Sequence, residues 1–337
     1  MSIISMDLGK NSYDIVIERG VLNRAAEELN LNRKVLIVSD KGVPSEYANC
    51  IASQCKDATI FVFEGGEASK TLQTVEQVLR KLLEKNFTRK DCVVAVGGGI
   101  SGDLAGFAAS CYMRGIDFYN IPTTVLSQVD SSIGGKTAVN LDSVKNIIGA
   151  FYQPKKVLID PDVLKTLPTR QLNNGLAEAL KMAVTFDSQL FELFATQNPY
   201  ENLDLIIEKS LISKKIIVEQ DEKELGIRKV LNFGHTIGHG IESSLEGKLY
   251  HGECVGLGML PMCSNEVREK LIPCLEKLNL PTKCSFDKAK VCLAIGHDKK
   301  GSGKSISTVY VPEIGKFEFN DMTIAELEQK LSIVLGE

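Results

Sequence analysis

Residues 92–110 read CVVAVGGGISGDLAGFAAS. A short β-branched run opens the stretch, three glycines follow, and a helical pattern closes it, so it reads as strand, turn and helix. Gly97, Gly98 and Gly99 let backbone amides approach a ligand closely, and the start of the next helix adds amide donors and a positive dipole end. α/β folds hold a pyrophosphate in this way. The spacing is not GxGxxG, and no Lys-Ser or Lys-Thr follows, which excludes a P-loop. A tight connection without a ligand, with Asp103 as a helix cap, is the competing reading.

Working outward, YDIVIE (13–18), KVLIVSD (34–40), ATIFVFE (58–64), FYNIP (118–122) and KVLID (156–160) read as further strands. Between them lie helical patterns, the clearest being TLQTVEQVLRKLLEKNF, apolar at Leu72, Val75, Val78, Leu79, Leu82 and Leu83. Strands alternating with helices predict a mostly parallel sheet covered on both faces. After about residue 160 the pattern becomes helical, and only ISTVYV (306–311) and KFEF (316–319) suggest a late hairpin. The expected organisation is an α/β domain over 1–160 and a mainly helical domain over 161–337, with a site in the cleft between them.

The 337 residues carry a net charge of −4, which excludes a global field that would recruit nucleic acid or an anionic membrane. An anionic substrate needs a local basic pocket. Nine cysteines occur with no CxxC, arguing against a disulfide framework and for a reducing cytosol. The start MSIISMDLGK lacks the features of a secretory leader, and no apolar run is long enough to span a bilayer. The expected location is cytoplasmic.

Two segments concentrate polar chemistry. PTTVLSQVDSSIGGKTAVN crowds Thr123, Thr124, Ser127, Gln128, Asp130, Ser131 and Ser132 before a GGK turn. That density reads as a ligand-binding segment, with Lys136 and Lys145 as phosphate-binding cations. LNFGHTIGHGIESSLEGKLYHGE holds three of the four histidines, His235, His239 and His251, with carboxylates at Glu242 and Glu253. Imidazoles and carboxylates in one window suggest a divalent metal site. Read from spacing alone, His235 and His239 chelate from one helical face.

These segments, with KNIIGAFYQP, LKTLPTRQ, GLAEALKMA and DEKELGIRKVLNFGHTIGHGIE, resemble the 3-dehydroquinate synthase family of sugar phosphate cyclases over nearly the whole chain. The resemblance implies an N-terminal Rossmann-like α/β domain plus a mainly α-helical C-terminal metal-binding domain. It implies conversion of 3-deoxy-D-arabino-heptulosonate 7-phosphate to 3-dehydroquinate and phosphate, a step toward aromatic amino acids. NAD is reduced and reoxidised in each turnover, around phosphate elimination, ring opening and aldol closure. One divalent metal, Zn or Co, is implied as well.

Residue by residue, the resemblance assigns the metal to Glu178, His235 and His251, and moves His239 beside the substrate as a proton-transfer or phosphate-contacting group. Glu224 is similar to the family's other proton acceptor. Lys214, Arg228 and Asn232 match residues that hold the substrate carboxylate and hydroxyls, and Arg228 suits a carboxylate because its fork is bidentate. Lys136, Asn146 and Lys299 or Lys300 match the phosphate set. Asp130 and Lys181 complete the substrate shell, and Arg114 matches an arginine donated across a homodimer interface. Asp40, Glu67, Lys70, Gly98, Gly99, Asp103, Thr123, Thr124, Lys145, Thr166 and Asn174 match positions that touch NAD. Cys254 departs from the family's usual Ala after HGE. Cyclases such as 2-deoxy-scyllo-inosose synthase take substrates without the carboxylate that Lys214 and Arg228 favour. A metal-dependent polyol dehydrogenase is the remaining alternative, and it would release NADH stoichiometrically.

Overall fold

The apolar runs of the first half become adjacent strands of one sheet. The computed structural model describes residues 1–142, 144–298 and 305–336. Its strands in this half are β1 (Ser2–Met6), β2 (Tyr13–Ile17), β3 (Lys34–Asp40), β4 (Asp57–Phe63), β5 (Cys92–Gly97), β6 (Asp117–Pro122), β7 (Lys136–Leu141), β8 (Val144–Phe151) and β9 (Lys156–Ile159). Seven of them form a sheet in the order β1-β2-β9-β6-β5-β3-β4. All neighbours are parallel except the β1–β2 edge pair.

Helices α1 (Ala25–Glu28), α2 (Ser45–Ala52), α3 (Leu72–Glu84) and α4 (Gly99–Cys111) accompany the sheet. Alternate residues feed two separate cores. Val35, Ile37, Val94 and Val96 join one with Ala48 and Ile51 of α2. Leu36, Val38, Val93 and Ala95 join the other with residues of α3 and α4. A strand buried on both faces has no polar side to show, which is why these runs are continuously apolar. Each buried Val, Leu or Ile contributes about 1.5–3 kcal/mol of transfer free energy.

The hairpin β7–β8 falls where the sequence patterns predict no strand. It packs over α4 as a separate two-stranded sheet, and a Cβ on its Gly149 would overlap the Thr137 carbonyl oxygen across the hairpin.

The first compact unit extends through Pro168, past the expected boundary at 160. The Asp160 carboxylate accepts from the amides of Gly20 at 3.0 Å, Leu22 at 3.1 Å and Asp162 at 3.0 Å, which ties the turn Pro161–Thr166 to the end of β2.

The second unit, Thr169–Glu337, contains α5 (Thr169–Phe186), α6 (Ser188–Thr196), α7 (Leu203–Gln220), α8 (His235–Ser244), α9 (His251–Met259), α10 (Asn265–Lys277), α11 (Lys288–Asp298) and α12 (Ile324–Leu331), with the hairpin β10 (Ile306–Glu313) and β11 (Lys316–Met322). The run after His251 is not one helix. α9 ends at Met259, and Pro261, which has no amide donor, stands in the tight turn Leu260–Met262 that follows. Among the described residues, no helix is long and apolar enough to cross a membrane.

Candidate active site

In the first unit, Gly97 ends β5, Gly98 caps α4 and Gly99 begins it. Packing around the glycines is tight. A Cβ on Gly97 would overlap Ser101, one on Gly98 would stand 3.2 Å from Thr124 Cγ2, and one on Gly99 would stand 3.0 Å from Ser131 Oγ. No side chain caps α4, so its first amides are open to an acceptor of another kind, the arrangement that receives a phosphate. Thr123 donates its amide to Gly97 O at 2.9 Å, and Thr124 Oγ1 accepts from the Ser127 amide at 3.2 Å, which pins the second polar segment against the turn.

Asp40 closes β3, and its carboxylate accepts from the Gly42 amide and from Ser101 Oγ, both at 2.9 Å. A cavity of about 560 Å³ opens there, lined by Ser39, Asp40, Gly42, Pro44, Ala48 and Val62 among others. Lys70 Nζ lies 2.5 Å from Asp103 Oδ2 and also bonds Asn146 Oδ1. Asn146 donates its amide to Asn140 Oδ1 at 2.8 Å, and Asn140 Nδ2 donates to Glu67 Oε1 at 2.8 Å. Glu67, Lys70, Asp103 and Asn146 therefore belong to one network. Asn140, which closes the polar segment but is not among its candidate site residues, is its connector.

Lys136 and Lys145 are exposed on the same hairpin, and Asp130 is half-buried in a π-turn, Ser127–Ser131. Thr166 meets the Tyr47 hydroxyl at 2.9 Å. Arg114 is exposed in a turn where it and Met113 both have positive φ, 68° and 50°.

The second unit builds a different kind of site. Glu178 stands in the middle of α5 with 1 % of its surface exposed. His235 and His239 begin and follow one turn later on α8, and His251 begins α9. α8 and α9 approach closely because small residues line the seam. Gly234 adopts φ 78°, a Cβ on Gly238 would lie 2.8 Å from Cys254 O, and one on Gly258 would overlap the Gly234 carbonyl. The His235 and His251 ring centroids are 5.3 Å apart, and His239 lies 5.1 Å from the first and 5.6 Å from the second.

The hydrogen bonds set the tautomers. His235 Nδ1 donates to Phe233 O at 3.1 Å, and His251 Nδ1 donates to Glu242 Oε2 at 3.0 Å. Each Nε2 then faces Glu178 Oε1, at 3.5 Å from His235 and 3.4 Å from His251. Two nitrogen lone pairs and a carboxylate oxygen this close repel one another unless a proton or a metal ion lies among them. Ligands of a tetrahedral ion bound at about 2.0–2.1 Å stand about 3.3–3.4 Å apart, so the three groups fit one divalent ion. The outer carboxylate on His251 and the carbonyl on His235 are the supports such ligands carry.

A second set also gathers. Ring nitrogens of His235, His239 and His251 all lie within 4.8 Å of one another. Glu178 fits better as the third ligand, because neither of its buried oxygens has a well-formed hydrogen bond, and Lys181 Nζ reaches Oε2 at 2.5 Å as an ion pair. Burial drives the His235 pKa down to about 3, opposed by Glu178. Burial also disfavours charge on His251, but the Glu178 and Glu242 carboxylates on either side of its ring outweigh it and raise that group to about 9. Burial likewise opposes ionisation of Glu178, yet Lys181 and the two imidazoles hold it well below the usual carboxylate range. Glu253, the other carboxylate of the histidine window, turns to Arg170 at 2.7 Å.

Lys181, Lys214 and Arg228 are buried cations of this unit. Arg228 sits at the end of a loop organised by Asp221, whose carboxylate accepts from the amides of Leu225, Gly226 and Arg228 at 2.9, 2.7 and 3.0 Å. Burial would raise the Asp221 pKa, but those three amides hold it low. The sequence reading passed over Asp221, although the spacing DxxxLGxR is compatible with such a loop. Within the loop Glu224 has φ 59° and accepts from Asn232 Nδ2 at 3.0 Å. Arg228 also donates to the Glu222 carbonyl. Asn174 lies on α5, where its Oδ1 accepts from the Gly252 amide at 2.6 Å. Lys299 and Lys300 lie outside the described residues.

A parallel-sheet α/β unit followed in one chain by a helical unit with a histidine–carboxylate cluster is the architecture of the sugar phosphate cyclases, though not of them alone. Residues 60–174 match the 3-dehydroquinate synthase N-terminal family model and residues 175–301 the 3-dehydroquinate synthase C-terminal model. The 3-dehydroquinate synthase of Streptococcus thermophilus is 41% identical, over 97% of this chain and 99% of its own length. The chain belongs to the 3-dehydroquinate synthase family.

Solved structures agree on the fold. A 2-deoxy-scyllo-inosose synthase complexed with carbaglucose-6-phosphate, NAD⁺ and Co²⁺ superposes with a TM-score of 0.90 at 24% identity, covering 98% of this chain and 99% of that one. A 2-epi-5-epi-valiolone synthase from Streptomyces hygroscopicus with NAD⁺ and Zn²⁺ bound gives 0.87 at 27% identity, covering 96% of each chain.

Proposed function

We propose that this protein is a 3-dehydroquinate synthase that turns 3-deoxy-D-arabino-heptulosonate 7-phosphate into 3-dehydroquinate and inorganic phosphate, as a carbon–oxygen lyase. The observation that carries this reading is the convergence of Glu178, His235 and His251 on one point, in a chain 41% identical to such a synthase over 97% of its length. The C–O bond to phosphate breaks, a C–C bond closes the carbocycle, and the hydride removed early is returned, so no net oxidation occurs.

NAD bound at the glycine turn supplies reversible hydride acceptance, and a divalent ion held by Glu178, His235 and His251 supplies Lewis acidity toward substrate hydroxyls. The open amides of α4 and the Glu67–Lys70–Asp103 network bind and orient the dinucleotide, with Asp40 at its cavity, Thr123, Thr124 and Lys145 nearby in sequence, and Thr166 and Asn174 completing the set. Zn and Co both suit a site of two imidazoles and one carboxylate.

Arg228 and Lys214 bind the substrate carboxylate. Arg228 is held rigid by its loop, so its fork meets the carboxylate at little entropic cost. Lys136, Asn146 and a lysine of the 299–300 pair take the phosphate. Asp130, Lys181 and Asn232 fix hydroxyl groups. His239, beside the ligand set, holds or moves the proton at its ring nitrogen, with Glu224 as the second proton acceptor. Arg114, exposed on its strained turn, serves a partner subunit in a homodimer. The nine cysteines, all free, support a reducing cytoplasmic location.

A phosphate-release assay with the heptulosonate phosphate tests the proposal. Release is expected to stop with chelator, to need only catalytic NAD⁺, and to leave no net reduced nicotinamide. Faster turnover of glucose 6-phosphate or sedoheptulose 7-phosphate, or stoichiometric NADH, would overturn it.

A further inference from the structure

Arg170, Asn174 and Glu178 follow one another at four-residue intervals along α5, so they share a face of that helix. Each meets a successive residue in the first turn of α9. Arg170 grips Glu253 with two parallel hydrogen bonds, Nε to Oε1 at 2.7 Å and Nη2 to Oε2 at 2.8 Å. Asn174 Oδ1 accepts from the Gly252 amide at 2.6 Å. Glu178 Oε1 stands 3.4 Å from His251 Nε2. The contacts form a ladder, and the metal pair is its third rung.

Several features make the first rung stiffer than an ordinary surface ion pair, which contributes about 0–1 kcal/mol. The Glu253 side chain is only 8 % exposed. Its Oε2 also accepts from the Tyr250 amide at 2.8 Å, capping α9 one residue before His251. The Arg170 guanidinium lies 4.1 Å from the Tyr250 ring centroid and donates to Lys248 O at 3.1 Å. On the second rung, a Cβ on Gly252 would overlap the Asn174 carbonyl oxygen, so the helices touch backbone to backbone.

We propose that Arg170 and Glu253 are positioning residues for the metal centre, their bidentate pair setting, through the α9 cap, the separation of His251 from Glu178. The inference rests on the ligand assignment made above. Neither residue touches the ion. They act by fixing where the first turn of α9 lies against α5, and a shift of α9 along α5 would open the bite between carboxylate and imidazole.

The test is Co²⁺ binding by the metal-free full-length protein, followed by competition with a chromophoric chelator and by the d–d absorption of the bound ion. Arg170→Ala and Glu253→Gln are expected to weaken Co²⁺ by about 10- to 100-fold, as loss of outer-shell support does, and to change the d–d envelope. Arg170→Lys, which keeps the charge and loses the fork, should recover part of the affinity. It also carries the test if Arg170→Ala does not fold, as judged by circular dichroism of the metal-free protein. Glu178→Gln is the separate arm for the ligand assignment and should lose the ion. Affinity within about twofold of the parent and an unchanged envelope in Arg170→Ala and Glu253→Gln, with the ion lost in Glu178→Gln, would overturn the positioning role alone. Normal Co²⁺ binding by Glu178→Gln would overturn the ligand assignment and this inference with it.

Discussion

The two units make their sites from opposite materials. In the α/β unit the turn that can receive a phosphate is mostly backbone and small residues in one continuous stretch, Gly97 to Asp103, laid down where a strand meets a helix. In the helical unit it is made of side chains on separate helices, Glu178 on α5, His235 and His239 on α8, and His251 on α9. A local site depends on the shape of one turn. A convergent site depends on every packing contact that sets one helix against the next, so its tolerance for substitution is lower.

The sharpest way to break this comparison is His235→Ala. Metal retention and turnover should fall together, by more than the roughly 100-fold that loss of an outer partner can cause. Metal content after dialysis, measured beside kcat, decides it, and full retention of the ion would remove His235 from the ligand set. A second contrast uses glycines. Gly258→Ala sets a methyl group against the Gly234 carbonyl oxygen, a backbone atom that cannot step aside, whereas Gly97→Ala meets the Ser101 side chain. Overpacking costs about 1–3 kcal/mol. Gly258→Ala should reach the top of that range in urea unfolding and lose metal affinity, while Gly97→Ala should stay near the bottom and lose NAD⁺ affinity only. Equal losses would show that the seam between α8 and α9 is not special.

Between those two extremes lies Arg228→Lys. It keeps the charge and removes the fork, so KM for the heptulosonate phosphate should rise about tenfold, the low end for a charged hydrogen bond. NAD⁺ affinity should stay unchanged. An unaltered KM would take the carboxylate away from Arg228.

Much of the α/β unit was legible because a buried parallel strand must be apolar on both faces, and KVLIVSD and CVVAV announce that without context. SIISM, at the sheet edge, mixes two serines with three apolar residues and carries no such signal. The hairpin from Lys136 to Phe151 was missed for a related reason. Its second strand is largely exposed, and Lys145, Asn146 and Gly149 read as turn residues. Asn146 has φ 55° inside that strand, an irregularity no propensity anticipates. Asp160 holds the turn that follows it within the first compact unit, Met1–Pro168, by a link between positions about 140 apart in sequence.

The histidine window was conspicuous by its composition, and the local spacing paired His235 with His239. That pair is close in space as well, but the imidazole facing the same Glu178 oxygen is His251. The family resemblance pointed to that set, and no local pattern could have done so. Glu242 and Glu253 looked equivalent along the chain. One now supports His251 and the other holds Arg170, because residues eleven apart straddle the break between α8 and α9.

By itself the order of residues determined the alternation of strand and helix, the glycine turn and the set of side chains able to bind a cation. These follow from local sterics and from the period at which apolar groups recur. Which carboxylate meets which imidazole was decided only when α5, α8 and α9 packed. That choice depends on distances of 3.4 and 3.5 Å between groups dozens of residues apart, set by glycines along a helix seam and by the ladder from Arg170 to Glu178.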